Sequence, residues 1–158
     1  PTSPPLPPPS PPLSPHQHTW VWLQLGGNID GNAASEKFGW SVSTSSDGTR
    51  MAVAAPSQDG RTGLVRVYEY DDGSGVWVQL GGDIIDNNRL YDAYFGWSVS
   101  MNSDGTKVAI GAQWGDNTKN GIVRVYEYVS GSGLWVQLGG DIVGSGSRIL
   151  SGYSVSLS

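Results

Sequence analysis

The stretch WVQLGGDI at residues 77–84 recurs unchanged at residues 135–142, and a near copy, WLQLGGNI, occupies residues 22–29. Between these copies other phrases repeat in a fixed order: FGWSVS at 38–43 and 95–100, SDGT at 46–49 and 103–106, and VRVYEY at 65–70 and 123–128. Two full units are therefore present, 57 or 58 residues apart, and a third begins at residue 135 and reaches only SGYSVSLS at 151–158. Self-similarity at a fixed period is the signature of a repeat architecture.

Each unit predicts four short β-strands. The segments WSVS, MAVAA or VAIGA, VRVYEY and WVQL are rich in Val, Trp and Tyr, and Asp-Gly, Gly-Ser-Gly or Gly-Gly turns separate them. Asp47-Gly48 and Asp104-Gly105 stand at hairpin spacing, where a positive φ is wanted at glycine. The predicted fold class is therefore all-β.

Small residues in the second strand of each unit indicate sheets that approach closely: Ala52, Ala54 and Ala55, and Ala109, Gly111 and Ala112. VRVYEY carries large apolar side chains on both faces, so both faces of each sheet should be covered. We expect tandem four-stranded antiparallel blades, propeller-like, with about 2.5 units. Closed propellers usually need at least about four blades, so this one is not expected to close within one chain. The predicted β repeat domain spans 20–158, with the incomplete third repeat from 135.

The run FGWSVS…DGTKVAIGA…GIVRVYEY, residues 95–128, resembles the FG-GAP repeats of integrin α-subunit propellers. It resembles more closely the uncharacterised WVQLG…GWSVS…DGTxVAIGA…VRVYEY arrays of algae, protists and bacteria. The resemblance covers nearly all of residues 20–158 and implies propeller-like blades and display outside the cell or at its surface. It implies no particular activity, because such scaffolds vary their loops.

The N-terminal part differs in composition. Nine of the ten prolines lie in PTSPPLPPPSPPLSP, which predicts a polyproline II stalk over residues 1–19. A stiff spacer and a ligand for SH3- or WW-type domains are both open interpretations. The stalk also resembles hydroxyproline-rich glycoproteins of plant and algal walls, which implies prolyl hydroxylation and O-glycans. The candidates are Ser3, Pro4, Pro5, Ser10, Pro11, Pro12, Ser14 and Pro15.

Composition argues against several classes of partner. The net charge is −5, and the nine Lys and Arg are scattered, so nucleic acid is not expected to bind. No apolar run approaches the roughly 18 residues that cross a bilayer, so membrane insertion is not expected. The absence of cysteine excludes disulfides and thiolate chemistry. Because the sequence starts at Pro1 without a signal-like segment, we expect a processed or partly observed product.

No catalytic, metal or cofactor site is predicted. Integrin loops of this type bind calcium through several carboxylates, but SSDGT and NSDGT offer only Asp47 and Asp104. A second candidate places oxygens at Asn28, Asp30, Asn32 and Glu36, yet the next copy loses that spacing, so a polar turn is expected instead. His16 and His18 belong to the linker, and without other His or Cys the usual catalytic bases are missing. We expect a protein that is not an enzyme.

The unfinished third copy predicts self-assembly. The sequence starts its repeats with WLQL and ends with YSVS, and each is expected to be a strand that lacks a neighbour. Such edges invite pairing with another chain. The leading hypothesis is an extracellular structural protein whose copies join head to tail into fibres or arrays by strand donation. The assembly residues are Trp20, Val21, Trp22, Leu23, Gln24, Leu25, Tyr153 and Val155. Continuation of the chain beyond Ser158, or pairing of its own two ends, would also fill these edges.

A binding module of a larger propeller is the alternative. The loops at 86–94 and 112–121 carry Tyr91, Tyr94 and Trp114, whose rings could stack on the sugars of a glycan or contact a protein. The competing interpretation is that these rings pack between sheets. The expected partners are thus other copies of the chain, with glycans as the alternative, outside the cell or at its surface.

Overall fold

The computed structural model describes residues 21–86, 93–114, 120–145 and 150–158. Within these ranges the chain forms two antiparallel β-sheets, one from each full repeat. The first contains β1 (Val42–Thr44), β2 (Arg50–Ala55), β3 (Leu64–Asp71), β4 (Val76–Gln79) and β5 (Ile84–Ile85). The second contains β6 (Phe95–Met101), β7 (Lys107–Ala112), β8 (Ile122–Val129) and β9 (Leu134–Val143).

Strand order follows chain order in both sheets, as short hairpin turns require. The order is β1-β2-β3-β4 in the first sheet, where β5 pairs with β3 beyond the end of β4, and β6-β7-β8-β9 in the second. Gly48 and Gly105 have φ of 72° and 69° in the Asp-Gly turns, which confirms the predicted hairpins. The predicted all-β class and the four-stranded antiparallel blades are confirmed, and the two sheets do not close into a barrel in the part of the chain that the structure describes.

The core lies between the two sheets. The cluster consists of buried residues from both: Ala52, Ala54, Val65 and Val67 from the first, and Phe95, Val99, Met101, Val108, Ile110, Ala112, Ile122 and Tyr126 from the second, with Ile84 from β5. The predicted small residues allow this close approach. A β-carbon at Gly96 would lie 2.9 Å from the β-carbon of Ala54, and one at Gly111 would meet the carbonyl oxygen of Gly152.

Three local predictions were wrong. Residues 22–25 and 153–156 were expected to be strands, but neither segment has strand structure in the described part of the chain. A strand is defined by its ladder partner, and neither segment has one there. The Gly-Gly after the second WVQL was expected to be a turn, yet β9 continues through it. Gly139 has φ of 66°, and three residues oppose Arg124 in a bulge.

Two short helical turns connect the strands. Ala34–Glu36 forms a 3-10 turn before β1, and Gln58–Arg61, α1, lies between β2 and β3. Asp59 and Gly60 inside α1 have positive φ, so it is a tight turn rather than a regular helix. Thr62 stabilises this turn, because its hydroxyl donates to the carbonyls of Gln58 and Asp59.

Candidate functional site

Successive repeats are joined by a tryptophan on the outermost strand. Trp77 of β4 donates its indole N–H to the carbonyl oxygen of Leu25 at 2.9 Å, and Trp135 of β9 donates to that of Leu80 at 2.8 Å. In each case the residue after the acceptor leucine is a glycine with positive φ, Gly26 or Gly81. A β-carbon at Gly26 or Gly81 would lie only 2.9 or 3.0 Å from Cδ1 of the docked indole. We call each leucine carbonyl and its following glycine an indole cradle.

The third indole cradle is open. Leu138 and Gly139 follow the same WVQ phrase, and Gly139 has φ of 66°, close to the 69° and 75° of Gly26 and Gly81. No side chain from elsewhere in the described residues lies within 4 Å of the position that its β-carbon would take. Leu138 is 39% exposed. Gly139 therefore has the same positive φ as the glycines of the two filled cradles, without an indole beside it.

A second row of contacts joins the innermost strands. The backbone N–H of Val99 donates to the hydroxyl of Ser41 at 3.0 Å, and that of Met101 donates to Ser43 at 2.9 Å. One repeat later, the N–H of Leu157 donates to Ser100 at 2.9 Å. Ser41, Ser43 and Ser100 of the GWSVS segments thus accept from the backbone of the next repeat, while the Ser98 hydroxyl donates to the carbonyl oxygen of Gly152 at 2.8 Å.

The last sheet is covered less completely than the first. Val65 and Val67 on β3 are fully buried beneath the second sheet. Their counterparts on β8, Val123 and Val125, are only half-buried. Covering apolar surface of this kind with another layer of structure removes it from water, which stabilises the covered state.

Aromatic side chains form a column at equivalent positions of the three copies. Trp40 and Trp97 have ring centroids 4.9 Å apart, and Trp97 and Tyr153 have theirs 6.0 Å apart. Tyr94 meets Trp97 and Trp114 edge to face, at 5.9 and 5.4 Å. Tyr94 and Trp114 thus pack on other rings while remaining half-exposed, and Tyr91 lies outside the described residues.

A buried ion-pair cluster reinforces the second sheet. The guanidinium of Arg124 contacts Asp86 at 2.6 Å and forms two bonds with Asp141, at 2.6 and 2.8 Å. Hydrogen bonding to these carboxylates raises the pKa of Arg124, and the bond from Arg124 lowers the pKa of Asp141. In the first sheet Arg66 donates two equivalent hydrogen bonds to Asp83, at 2.9 and 3.2 Å, as Arg124 does to Asp141. These charges are therefore structural.

The carboxylates of the candidate calcium loops accept hydrogen bonds within their own turns. Asp47 accepts hydrogen bonds from the Ser45 hydroxyl and from the backbone and hydroxyl of Thr49, which lower its pKa to about 2. Asp104 accepts the equivalent bonds from Asn102 and Thr106. In the 28–36 segment, Glu36 accepts from the backbone of Asn32. No three His, Cys, Asp or Glu side chains of the described residues are placed to share a metal ion.

The predicted assembly residues fall into two groups. Val21, Trp22, Leu23, Gln24 and Leu25 are exposed, and Trp22 reaches 99%. Tyr153 is exposed in the aromatic column and Val155 is half-buried. Trp20, the histidines and all the glycosylation candidates lie outside the described residues. The indole cradles and the serine contacts were missed, although the recurrence of Trp, Leu-Gly-Gly and Ser at one spacing is their signal.

Comparison with known proteins adds one match. A search of curated proteins finds no match to this chain. Within the described residues no helix has the length and hydropathy needed to cross a membrane. FG-GAP repeats occur typically in extracellular or cell-surface proteins, as a non-enzymatic adhesion-type fold. The segment from the first sheet's edge to the third strand of the second sheet, residues 81–126, matches the family model of the FG-GAP repeat.

Proposed function

We propose that this protein is an extracellular structural module whose copies join head to tail into fibres or arrays. The observation that carries the proposal is the open third indole cradle at Leu138 and Gly139, present in the same chain as the exposed Trp22. A contact made twice between repeats is thus available once more between copies. Contacts of this heterologous kind generate rings or filaments.

The half-covered face of the second sheet supports the same function. Val123 and Val125 have the positions at which Val65 and Val67 are fully buried by a following sheet. Trp22, which is 99% exposed, presents a further apolar ring to solvent. A neighbouring copy that covers these surfaces removes apolar area from water, which stabilises association by about 25 cal/mol per Å².

The mode of joining differs from the strand donation expected from the sequence. Residues 21–25 are held to the first sheet by the bond from Trp77 to Leu25, not by a ladder. We therefore infer that a neighbouring copy is first bound through side-chain contacts. Ladder pairing of this segment can follow in the assembled state.

Sedimentation velocity and electron microscopy of the full chain test the proposal. We expect oligomers that grow into regular fibres as the protein concentration rises. Val123→Lys places a charge on the half-covered face and should suppress them, whereas Val76→Lys, on a β4 side chain that is already exposed, should not. The proposal is wrong if the folded full chain stays monomeric at all concentrations, or if both variants assemble alike.

The proline-rich segment adds a second part to this function. We propose that residues 1–19 carry hydroxyproline and O-linked sugars and keep the assembly hydrated. The support is compositional, since Ser-Pro and Pro-Pro runs fill this segment. Mass spectrometry of the native material should find hydroxylated prolines and glycans among Ser3 to Pro15; an unmodified segment would contradict this part alone.

A binding module is the second candidate, and the half-exposed Tyr94 and Trp114 favour it. Their rings meet edge to face and remain partly accessible to solvent, and accessible aromatic rings are suited to stacking on sugars. A glycan array probed with the full chain distinguishes the two functions. Trp114→Ala should abolish any specific glycan signal, with the exposed Tyr153→Phe as the control.

A further inference from the structure

We propose that the open indole cradle at Leu138 and Gly139 binds the indole ring of Trp22 from a second copy of this chain. The inference rests on the proposed head-to-tail assembly and names the two surfaces that meet. The donor has the right identity, because Trp22 begins WLQLGG as Trp77 begins WVQLGG. The acceptor has the right chemistry, because a leucine carbonyl and a positive-φ glycine receive the indole in both filled cradles.

The open cradle is braced in the same way as the filled ones. The Gln137 side chain donates to the Asp141 carboxylate at 3.0 Å, as Gln79 donates to Asp83 at 2.9 Å. Gln24 donates to Asn28 at 3.1 Å in the first copy. This brace fixes the Leu-Gly-Gly segment before any indole arrives. A preorganised acceptor loses little conformational freedom on binding.

The repeat also specifies which side chain of the donor segment makes the contact. Trp77 and Trp135 are half-buried on their cradles, while the next residues, Val78 and Val136, stay exposed. By the same alternation, Trp22 should enter the cradle and Leu23 should remain in solvent.

A second copy supplies the donor. Trp77 and Trp135 already donate to the cradles at Leu25 and Leu80, whereas Trp22 is 99% exposed. Its own segment is anchored at Leu25, beside the first sheet, and three residues of chain extend at most about 11 Å. Leu138 belongs to the second sheet, two inter-repeat spacings away, or about 20 Å for sheets packed face to face. In this structure Trp22 is accordingly 99% exposed and does not occupy the cradle of its own chain.

Three donor variants of the full chain test the contact by sedimentation velocity. Trp22→Phe keeps a ring but removes the N–H donor, and should weaken association about fivefold. Trp22→Ala removes the ring and should weaken it about a hundredfold or more. Leu23→Ala is the matched control and should assemble as the unaltered chain does. Because Trp22 is almost fully exposed, each variant should keep the unfolding midpoint of the monomer.

The acceptor side has an equally close control. In the filled cradles a β-carbon on this glycine would lie only 2.9 or 3.0 Å from Cδ1 of the indole, so Gly139→Ala should crowd the incoming ring and block association. Gly140→Ala adds the same methyl group one residue later, where no neighbour lies within 4 Å, and its counterparts Gly27 and Gly82 are equally open in the filled cradles. It should leave association unchanged.

Mixing the two defective chains tests direction. Trp22→Ala lacks the donor and Gly139→Ala lacks the acceptor, so each alone should be monomeric. Together they retain one intact joint and should form discrete heterodimers that grow no further. If the unaltered chain assembles while Trp22→Ala assembles equally well, or if the mixture stays monomeric, the joint is wrong and head-to-tail assembly stands. If the unaltered chain never assembles, both are wrong.

Discussion

At the scale of single residues, glycines set how closely the sheets approach. Gly96 combines φ of 90° with contact on the first sheet, where a β-carbon would lie 2.9 Å from that of Ala54 and 3.1 Å from the Leu64 carbonyl oxygen. Gly48 has φ of 72° but open space around it. A substitution at Gly48 therefore introduces backbone strain alone, whereas one at Gly96 introduces strain together with steric overlap.

We predict that Gly96→Ala lowers the free energy of unfolding by about 3 kcal/mol, from positive-φ strain and overpacking together. Gly48→Ala should lower it by only about 1 kcal/mol, from strain alone. Urea unfolding followed by near-UV circular dichroism measures both. Equal losses would mean that the sheets have room to separate and that the close approach does not determine stability.

The turn carboxylates predict a response to acid. Hydrogen bonds from Ser45 and Thr49 lower the pKa of Asp47 from 3.8 to about 2, and those from Thr106 and Asn102 lower the pKa of Asp104. A depressed folded-state pKa contributes stability above the unfolded-state pKa, and this contribution disappears as pH falls through the folded-state value. The protein should therefore lose stability between about pH 4 and about pH 2.

Asp47→Asn together with Asp104→Asn tests this cause. Asparagine keeps an acceptor oxygen in each turn but does not titrate. The variant should be less stable than the unaltered chain at neutral pH, and the difference should shrink as the pH approaches 2. A difference in the free energy of unfolding that is constant over this range would assign the acid response to other carboxylates, such as Asp83 and Asp141, whose pKa values are also lowered.

At the scale of elements, the two sheets carry the same arginine in different environments. Arg124 is buried and contacts the buried Asp86 as well as Asp141, whereas Arg66 contacts the partly exposed Asp83. Removing one partner of a buried pair leaves the other charge in an apolar environment, which is far more costly than the loss of an exposed pair.

Arg124→Met should therefore lower the free energy of unfolding by about 3–5 kcal/mol. Arg66→Met, its counterpart in the first sheet, should lower it by about 1 kcal/mol. Adding Asp86→Leu to Arg124→Met should recover part of the loss, because no buried carboxylate then lacks its guanidinium. Chemical denaturation of the unaltered chain and these three variants measures the free energies of unfolding. Equal effects of the two single arginine variants would contradict the prediction.

The elements also show which features the sequence alone could predict. MAVAA, VAIGA and VRVYEY alternate or run apolar between turn residues, and each is a strand because its neighbours in the same unit pair with it. WLQL reads like WVQL but has no preceding VRVYEY, so the same local pattern gives no strand. The indole cradles could not be derived from one unit, since the tryptophan and its acceptor belong to different repeats, 52 and 55 residues apart.

At the scale of the whole molecule, each inner strand depends on the one before it. The N–H groups of Val99 and Met101 donate to serines of the preceding repeat. Their counterparts in the first copy, Val42 and Thr44, have no serine of another repeat as acceptor among the described residues. In repeat proteins, stability is roughly the sum of units and their nearest-neighbour interfaces, so the end repeats open most easily.

Amide hydrogen exchange of the dilute chain should therefore be at least about tenfold faster at Val42 and Thr44 than at Val99 and Met101. In assembled material, Ser154 and Ser156 of the preceding copy have the positions of Ser41 and Ser43 and should slow exchange at Val42 and Thr44. Exchange that is already equal in the monomer would show that β1 needs no neighbour. Exchange that stays fast after assembly would show that copies meet through a surface other than the first repeat, because β1 is the inner strand that a preceding copy would cover.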